Sequence, residues 1–319
     1  MSRNLDEPSP MSRAARNVFI YNHDGHIVGG LFQNGSILNS NLYEMCGVFI
    51  VTNGQFCLFR LNGDGSRGAR LFSTRTTLST GRYIVLSTDG NPISVDITEE
   101  CAPRRVTTKD PSSKITGRTK SFHDRVIARD DECVMSGAKR TSYVDAKLFN
   151  VAHIFPFARE QTWVDQGMSR WITDTETPQV QGETKIHSVQ NGLLMKADIH
   201  ALFDGYGVAV NVDYGYKIVC LGPDPINIDG RTLSLCCRDP RVPERVPDEL
   251  LRWHHRQAVL ATMKGAGEKP WDMHFPDGTD IMAEIMEGPD AAERMEAEMF
   301  TRLGAGELHY STSPEVGSP

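Results

Sequence analysis

Between about residues 16 and 98 the chain is written in apolar runs too short for anything but strands. NVFIY, HIVGGLF, GVFIV, QFCLFRL, RYIVLS and PISVDI are rich in Val, Ile, Phe and Tyr, and none exceeds seven residues. HDG, TNG, NGDG and TDGN separate them and supply the positive φ angles that tight turns require. Runs of this length, closed by turns at this interval, predict an all-β domain, a sandwich or barrel-like sheet. The Gly-rich LNGDGSRGAR lacks both the strand–GxxxxGK[ST]–helix context of a phosphate loop and the Asp spacing of an EF-hand, so it reads as a hairpin turn.

The 319-residue chain leaves room for a second compact domain, and its 39% hydrophobic and 24% charged content suits a globular fold. No apolar run approaches the roughly 20 residues needed to span a bilayer. The opening MSRNLDEPSPMSRAAR has no apolar core of the kind a signal peptide needs. The expectation is an intracellular protein without a membrane partner, nuclear and cytoplasmic placement being left open. Seven irregularly spaced cysteines then read as reduced, mostly buried thiols, and the adjacent Cys236 and Cys237 as ordinary packing ahead of a redox pair.

A formal charge of −7 argues against a nucleic-acid partner, but its distribution does not. From Arg104 to Lys147 there are eleven Lys or Arg against six Asp or Glu, whereas from Glu284 onward seven Glu and one Asp face two Arg. A basic centre followed by an acidic tail is compatible with phosphate binding, and equally with a solvated surface.

The middle of the chain carries the chemistry. It reads DECVMSGAK, then FNVAHIFPFARE, then HSVQNGLLMKADIHALFDGYGVAVNVD. NVAHIFP is a β-type run containing His153 and closed by Pro156. LLMKADIHALF is read as an amphipathic helix with Leu193, Leu194, Ile199, Leu202 and Phe203 on its apolar face. His200 and Asp204, four apart, project from one face of such a helix. A strand with one imidazole and a helix with an imidazole and a carboxylate can enclose one divalent cation.

In order and spacing these segments resemble the HNH endonuclease family, in the branch written AHI-x-P, QNGL-L and ADIH-x-LFD, with Cys-Val-x-Ser-Gly ahead of the first strand. The resemblance covers residues 133–222, and the whole chain resembles multi-domain HNH proteins of filamentous fungi. It implies a ββα-metal fold in which His153 is the general base and His200 a metal ligand. Asn191 holds the loop and orients the base, or touches the metal. One divalent cation is implied, with Mg, Mn, Ni and Zn not distinguished, and the substrate is nucleic acid, with DNA expected over RNA. Basic residues near the motif (Arg118, Lys120, Arg125, Arg129, Lys139 and Arg140) are candidates to hold the phosphate backbone.

The sequence departs from the family pattern in three places. Ala152 stands where many members place an acidic or imidazole ligand, so Asp204 is the candidate to complete the metal shell, although it equally suits a helix-ending Asp bonded to the turn. Asp198, two residues from His200, faces elsewhere. Of the four thiols in a zinc knuckle only Cys133 is present, so no structural zinc knuckle is expected. A long insertion separates His153 from Asn191, and Trp163, Met168 and Trp171 suggest that it holds a helix. His187 is read as structural or supporting, and His254 and His255 as core-facing.

The expected architecture is α+β. Residues 1–15 are a disordered start, 16–98 the β-rich domain, 99–118 a linker, 119–222 the nuclease domain, 223–304 a helical extension and 305–319 a flexible tail. Within it, helices are expected at 121–130, from Pro247-Asp248 to Gly265, and from Asp290. The expected function is metal-dependent hydrolysis of phosphodiester bonds. A catalytically degenerate HNH scaffold with a binding or signalling role is the alternative.

Overall fold

A computed structural model of the chain describes residue 5 and residues 15–103, 117–141 and 148–265, with side chains from Lys120 onward in the second stretch. The helix expected from Asp290, the flexible tail and most of the linker lie outside the described residues.

The N-terminal strands are β1 (Val18–Tyr21), β2 (Ile27–Leu31), β3 (Ile50–Thr52), β4 (Phe56–Leu61), β5 (Arg67–Arg70), β6 (Gly81–Ser87) and β7 (Val95–Ile97). Five form one sheet in the order β2-β1-β6-β4-β5, while β3 pairs with β7. β1 and β6 run parallel, and the other neighbours in the sheet are antiparallel. LNGDGSRGAR makes the β4–β5 hairpin, as read from its turn residues. The alternation in β6 explains the layering. Tyr83 and Val85 face one core and Ile84 and Leu86 another, because successive strand residues point to opposite faces.

One segment departs from the all-strand reading. Helix α1 (Asn39–Phe49) takes up the first half of GVFIV, leaving only Ile50–Thr52 as strand. Leu42, Met45, Cys46 and Phe49 are all buried at the i, i+3, i+4, i+7 spacing of a helix face. The Asn41 side chain accepts the Leu38 N–H at the helix start. Helical period outweighs the β-type composition of the local run.

The second half is built around an antiparallel hairpin of β8 (Phe149–His153) and β9 (Gly192–Lys196), in which His153 lies opposite Gly192. Helix α2 (Gly117–Asp130) covers one face, packing Phe122 and Val126 against Val151 and Leu194. The other face carries Ala152, Leu193 and Met195 into a core shared with Ile199 and Phe203. Leu193 and Leu194 therefore belong to a strand, not to the helix expected from LLMKADIHALF, since alternate residues are needed by different cores. The insertion between the strands holds α3 (Glu160–Asp165), a 3-10 turn at Met168–Trp171 and α4 (Pro178–Gln181) in place of one helix. Gly167, at φ 60°, turns the chain between the first two.

Helix α5 (Ala197–Asp204) follows β9 directly, and β10 (Val208–Asn211) pairs with β11 (Lys217–Cys220) beyond it. The short helix α6 (Leu235–Arg238) precedes α7 (Asp248–Thr262). α7 joins the two halves: Leu250 and Leu251 lie in the core of the second half, and Ala258, Val259 and Leu260 in that of the first. Ala209 of β10 and Val219 of β11 also pack into the first core. Arg16 closes the arrangement by donating to the carbonyls of Thr262 and Gly265.

Two predictions follow from this packing. A Cβ on Gly192 would stand 2.5 Å from Val126 Cγ2 and 2.8 Å from Phe122 Cζ. Gly192→Ala should therefore cost about 1–3 kcal/mol in denaturant unfolding by forcing α2 off the hairpin. His255 of α7 keeps its Nε2 shut off from solvent without a hydrogen-bond partner. Burial, opposed by Asp213, pulls its pKa from 6.5 to about 4. Protons thus bind the unfolded chain better between these values. Stability present above pH 6.5 should fall by up to about 1.4 kcal/mol per unit toward pH 4, a slope that His255→Phe should reduce.

Candidate active site

Strand β8 divides its side chains between two neighbourhoods. Val151 and His153 serve the α2 side, and Asn150 and Ala152 the α5 side. The His153 ring stacks on Phe122 with centroids 4.0 Å apart and planes 15° from parallel. Its Nε2 lies 3.2 Å from Nδ1 of His187, so one of these nitrogens carries the shared hydrogen. Phe157 approaches the His187 ring at 4.7 Å. His153 itself is half-buried.

On the other side, α5 projects His200 and Asp204 from successive turns. His200 Nε2 is 3.0 Å from Asp204 Oδ2, and both side chains are buried. Nδ1 of His200 lies 3.3 Å from the Asn150 amide. The two side chains expected to share a cation therefore converge, joined by an asparagine that sequence reasoning passed over. Its signal was present: Asn150 is the polar residue two places before Ala152 in a strand whose alternate residues share a face. His187, read as structural or supporting, touches His153 directly. Asp198 is exposed and lies 3.3 Å from Lys196, away from His200. No described contact joins the His153–His187 pair to the His200–Asp204 pair. Among the described residues, neither pair contributes to a group of three or more convergent His, Cys, Asp or Glu ligands.

Asn191 occupies the turn that joins these parts. It is fully buried, and its Oδ1 accepts the Phe155 N–H at 2.8 Å. Its Nδ2 donates to the carbonyls of Phe155 and Ile186 at 3.1 and 2.9 Å. The amide fastens the chain just past His153 to the chain just before His187, with both of its N–H groups committed to carbonyls. Gln190 beside it holds the insertion, accepting from the N–H groups of Thr173 and Asp174.

The basic candidates are distributed unevenly. Arg129 is corrected from phosphate contact to structure: its side chain is 4% exposed and bonded to Asp130 and to the carbonyls of Val189, Gly192 and Glu244. Arg125 makes a two-pronged pair with Asp174. Burial raises the Asp174 pKa, but Arg125 and Ser188 reverse this, and the net effect is a lowered value. Lys139 pairs with Glu132. Lys120 is exposed and Arg140 half-buried, while the Arg118 side chain lies outside the described residues.

Asn191→Ala would orphan one buried N–H and two carbonyls. It should cost about 3 kcal/mol in chemical denaturation, and Asn191→Asp should not restore it, because a carboxylate cannot donate to those carbonyls.

Comparison with known proteins agrees with this geometry. Residues 133–211 match the family model described as HNH endonuclease, and residues 15–91 match one described as a domain of unknown function. No curated protein and no solved structure matches the chain. Residues 133–211, with a hairpin bearing His153, an asparagine pin and a helix bearing His200, are an HNH endonuclease domain.

Proposed function

We propose that the chain is a metal-dependent endonuclease that hydrolyses phosphodiester bonds of DNA, with His153 as general base and one divalent cation held at His200 and Asp204. The observation that carries this reading is the convergence of His200 and Asp204 at 3.0 Å on the helix beneath the hairpin. One imidazole nitrogen and one carboxylate oxygen suit a catalytic cation, because so few protein ligands leave positions for water and phosphate. Such a cation, when bound, supplies Lewis acidity to the phosphate and the leaving oxygen.

The protein's own groups would act as follows. The amide orientation of Asn150 sets the tautomer of His200. Asn150 Nδ2 stands 3.3 Å from His200 Nδ1, so in this orientation Nδ1 accepts and Nε2–H donates to Asp204; the amide turned over, with its oxygen toward Nδ1–H, would leave the Nε2 lone pair for a ligand beside Asp204. Phe122 holds the His153 ring flat, and the His187 contact fixes its tilt. His153 takes a proton from the attacking water, a task suited to an imidazole. As the water oxygen bonds to phosphorus the P–O3′ bond breaks, and the departing 3′ oxygen takes a proton from solvent, leaving a 5′-phosphate and a 3′-hydroxyl. Asn191 acts through position alone, keeping the base at the hairpin end. Of the basic candidates, exposed Lys120 and half-buried Arg140 are assigned to backbone phosphate.

One observation favours a second reading. Ala152 turns a buried methyl into the core at the position where a further ligand would complete the shell. A scaffold that binds nucleic acid without cutting would tolerate this.

Purified protein incubated with plasmid DNA and Mg²⁺, Mn²⁺ or Ni²⁺ separates the two. Nicking should require metal, stop with EDTA and fall by at least about 100-fold in His153→Ala. Asp204→Ala should weaken metal binding. Equal nicking by wild type and His153→Ala, or none with any metal, would sink the catalytic reading, and binding without cutting would favour the second.

A further inference from the structure

Away from the hairpin, three ligand atoms from distant parts of the chain meet at one point. Asp130 ends α2, and Cys236 and Cys237 occupy α6. Asp130 Oδ1 lies 3.6 Å from Cys236 Sγ and 3.4 Å from Cys237 Sγ, and the two sulfurs are 3.9 Å apart. Among the described residues this is the one group of three or more His, Cys, Asp or Glu side chains so disposed. We propose that Asp130, Cys236 and Cys237 form a structural site for a thiophilic divalent cation, zinc in particular, separate from the nuclease site.

The spacing is that of a coordination shell. With Zn–S near 2.3 Å and Zn–O near 2.0 Å, a tetrahedral ion sets its ligand edges at about 3.8 Å for S···S and about 3.5 Å for S···O. The three measured edges fall close to these values before any ion is placed. Charge agrees as well. Two thiolates and a carboxylate carry three negative charges, and Arg129, bonded to Asp130, returns one. The remaining two are neutralised by one divalent cation. Asp130 Oδ1 accepts one N–H, from Arg129 Nε at 2.6 Å, and an sp² oxygen has a second lone pair for the ion.

Access and the fourth position come from the same side. Cys237 and Asp130 are buried, while Cys236 is half-buried. Ser234 Oγ, 3.4 Å from Cys236 Sγ, or a water can complete the tetrahedron. Binding exchanges protons for metal: the cation enters, each thiol that is still protonated loses its proton to solvent, and two S–M bonds form with no change of oxidation state.

Its consequence would be mechanical. Asp130 Oδ2 accepts the Leu194 N–H, and Arg129 donates to the Gly192 carbonyl. An ion joining α2 to α6 would tie down the two residues that hold β9. The role matches that of a zinc knuckle, but with ligands that no CxxC spacing announces.

Cobalt substitution tests the site. Chelator-stripped, reduced full-length protein should bind Co²⁺ with a thiolate-to-cobalt charge-transfer band saturating at one equivalent, and Zn²⁺ should bleach it. Cys236→Ser, at the half-buried position, should weaken binding by more than about 100-fold, beyond the cost of losing a supporting contact. Cys133→Ser serves as a control thiol and should keep the band. Zn²⁺ should raise the Tm of wild type by more than that of Cys236→Ser, the difference reporting this site alone. Absence of the band in folded wild type, or its persistence in folded Cys236→Ser, would overturn the assignment. Nicking activity plays no part in the readout, so failure here and failure of the nuclease reading are told apart.

Discussion

The guanidinium of Arg129 has five N–H donors, and all five find acceptors inside the protein: two on Asp130 and one each on the carbonyls of Val189, Gly192 and Glu244. Burying an ion pair is expensive, and only full use of its hydrogen-bonding capacity makes it tolerable. Burial works against the charge on Arg129, but the neighbouring thiols and Asp130 more than reverse this and hold the pKa above its usual value. Three of the carbonyl and carboxylate partners belong to, or bond to, the turn and strand that carry Asn191 and Gly192. The β8–β9 hairpin is therefore positioned from behind by a charge, and from its end by the neutral amide of Asn191.

These two anchors divide the work. The ion pair sets how β9 lies against α2, through contacts to Gly192 and Leu194. Asn191 sets how the chain leaves β8 and returns from the insertion. The side chains with chemical potential, His153 on one face and His200 on the other, contribute little to holding either. Such a separation lets His153 stay partly exposed while the backbone beneath it is held by other groups.

Much of this was legible in the residues. The strand runs, the β4–β5 turn, α2 with Phe122 and Val126, and α7 with Leu250 and Leu251 follow from periodicity and turn chemistry. His200 and Asp204 meet because helical spacing of four dictates it. Three features were hidden for definite reasons. Leu193 and Leu194 fit either a helix or a strand until it is known that two different cores compete for them. Arg129 reads as one more surface cation, because burial of a charge depends on partners as remote as Glu244. The approach of His187 to His153 and of Cys236 to Asp130 depends on how distant segments fold back, and no local pattern encodes that.

Helix α7 places its first turns in one core and its last turns in the other, and β10 and β11 do the same across the hairpin's width. The boundary drawn by family resemblance, at residue 211, falls between two strands that pair with each other. What the family model delimits is thus smaller than what folds. Cut at that boundary, the HNH domain would lose β11 and turn Ala209 toward water. In this chain the N-terminal sheet is part of that domain's foundation as well as a neighbour to it.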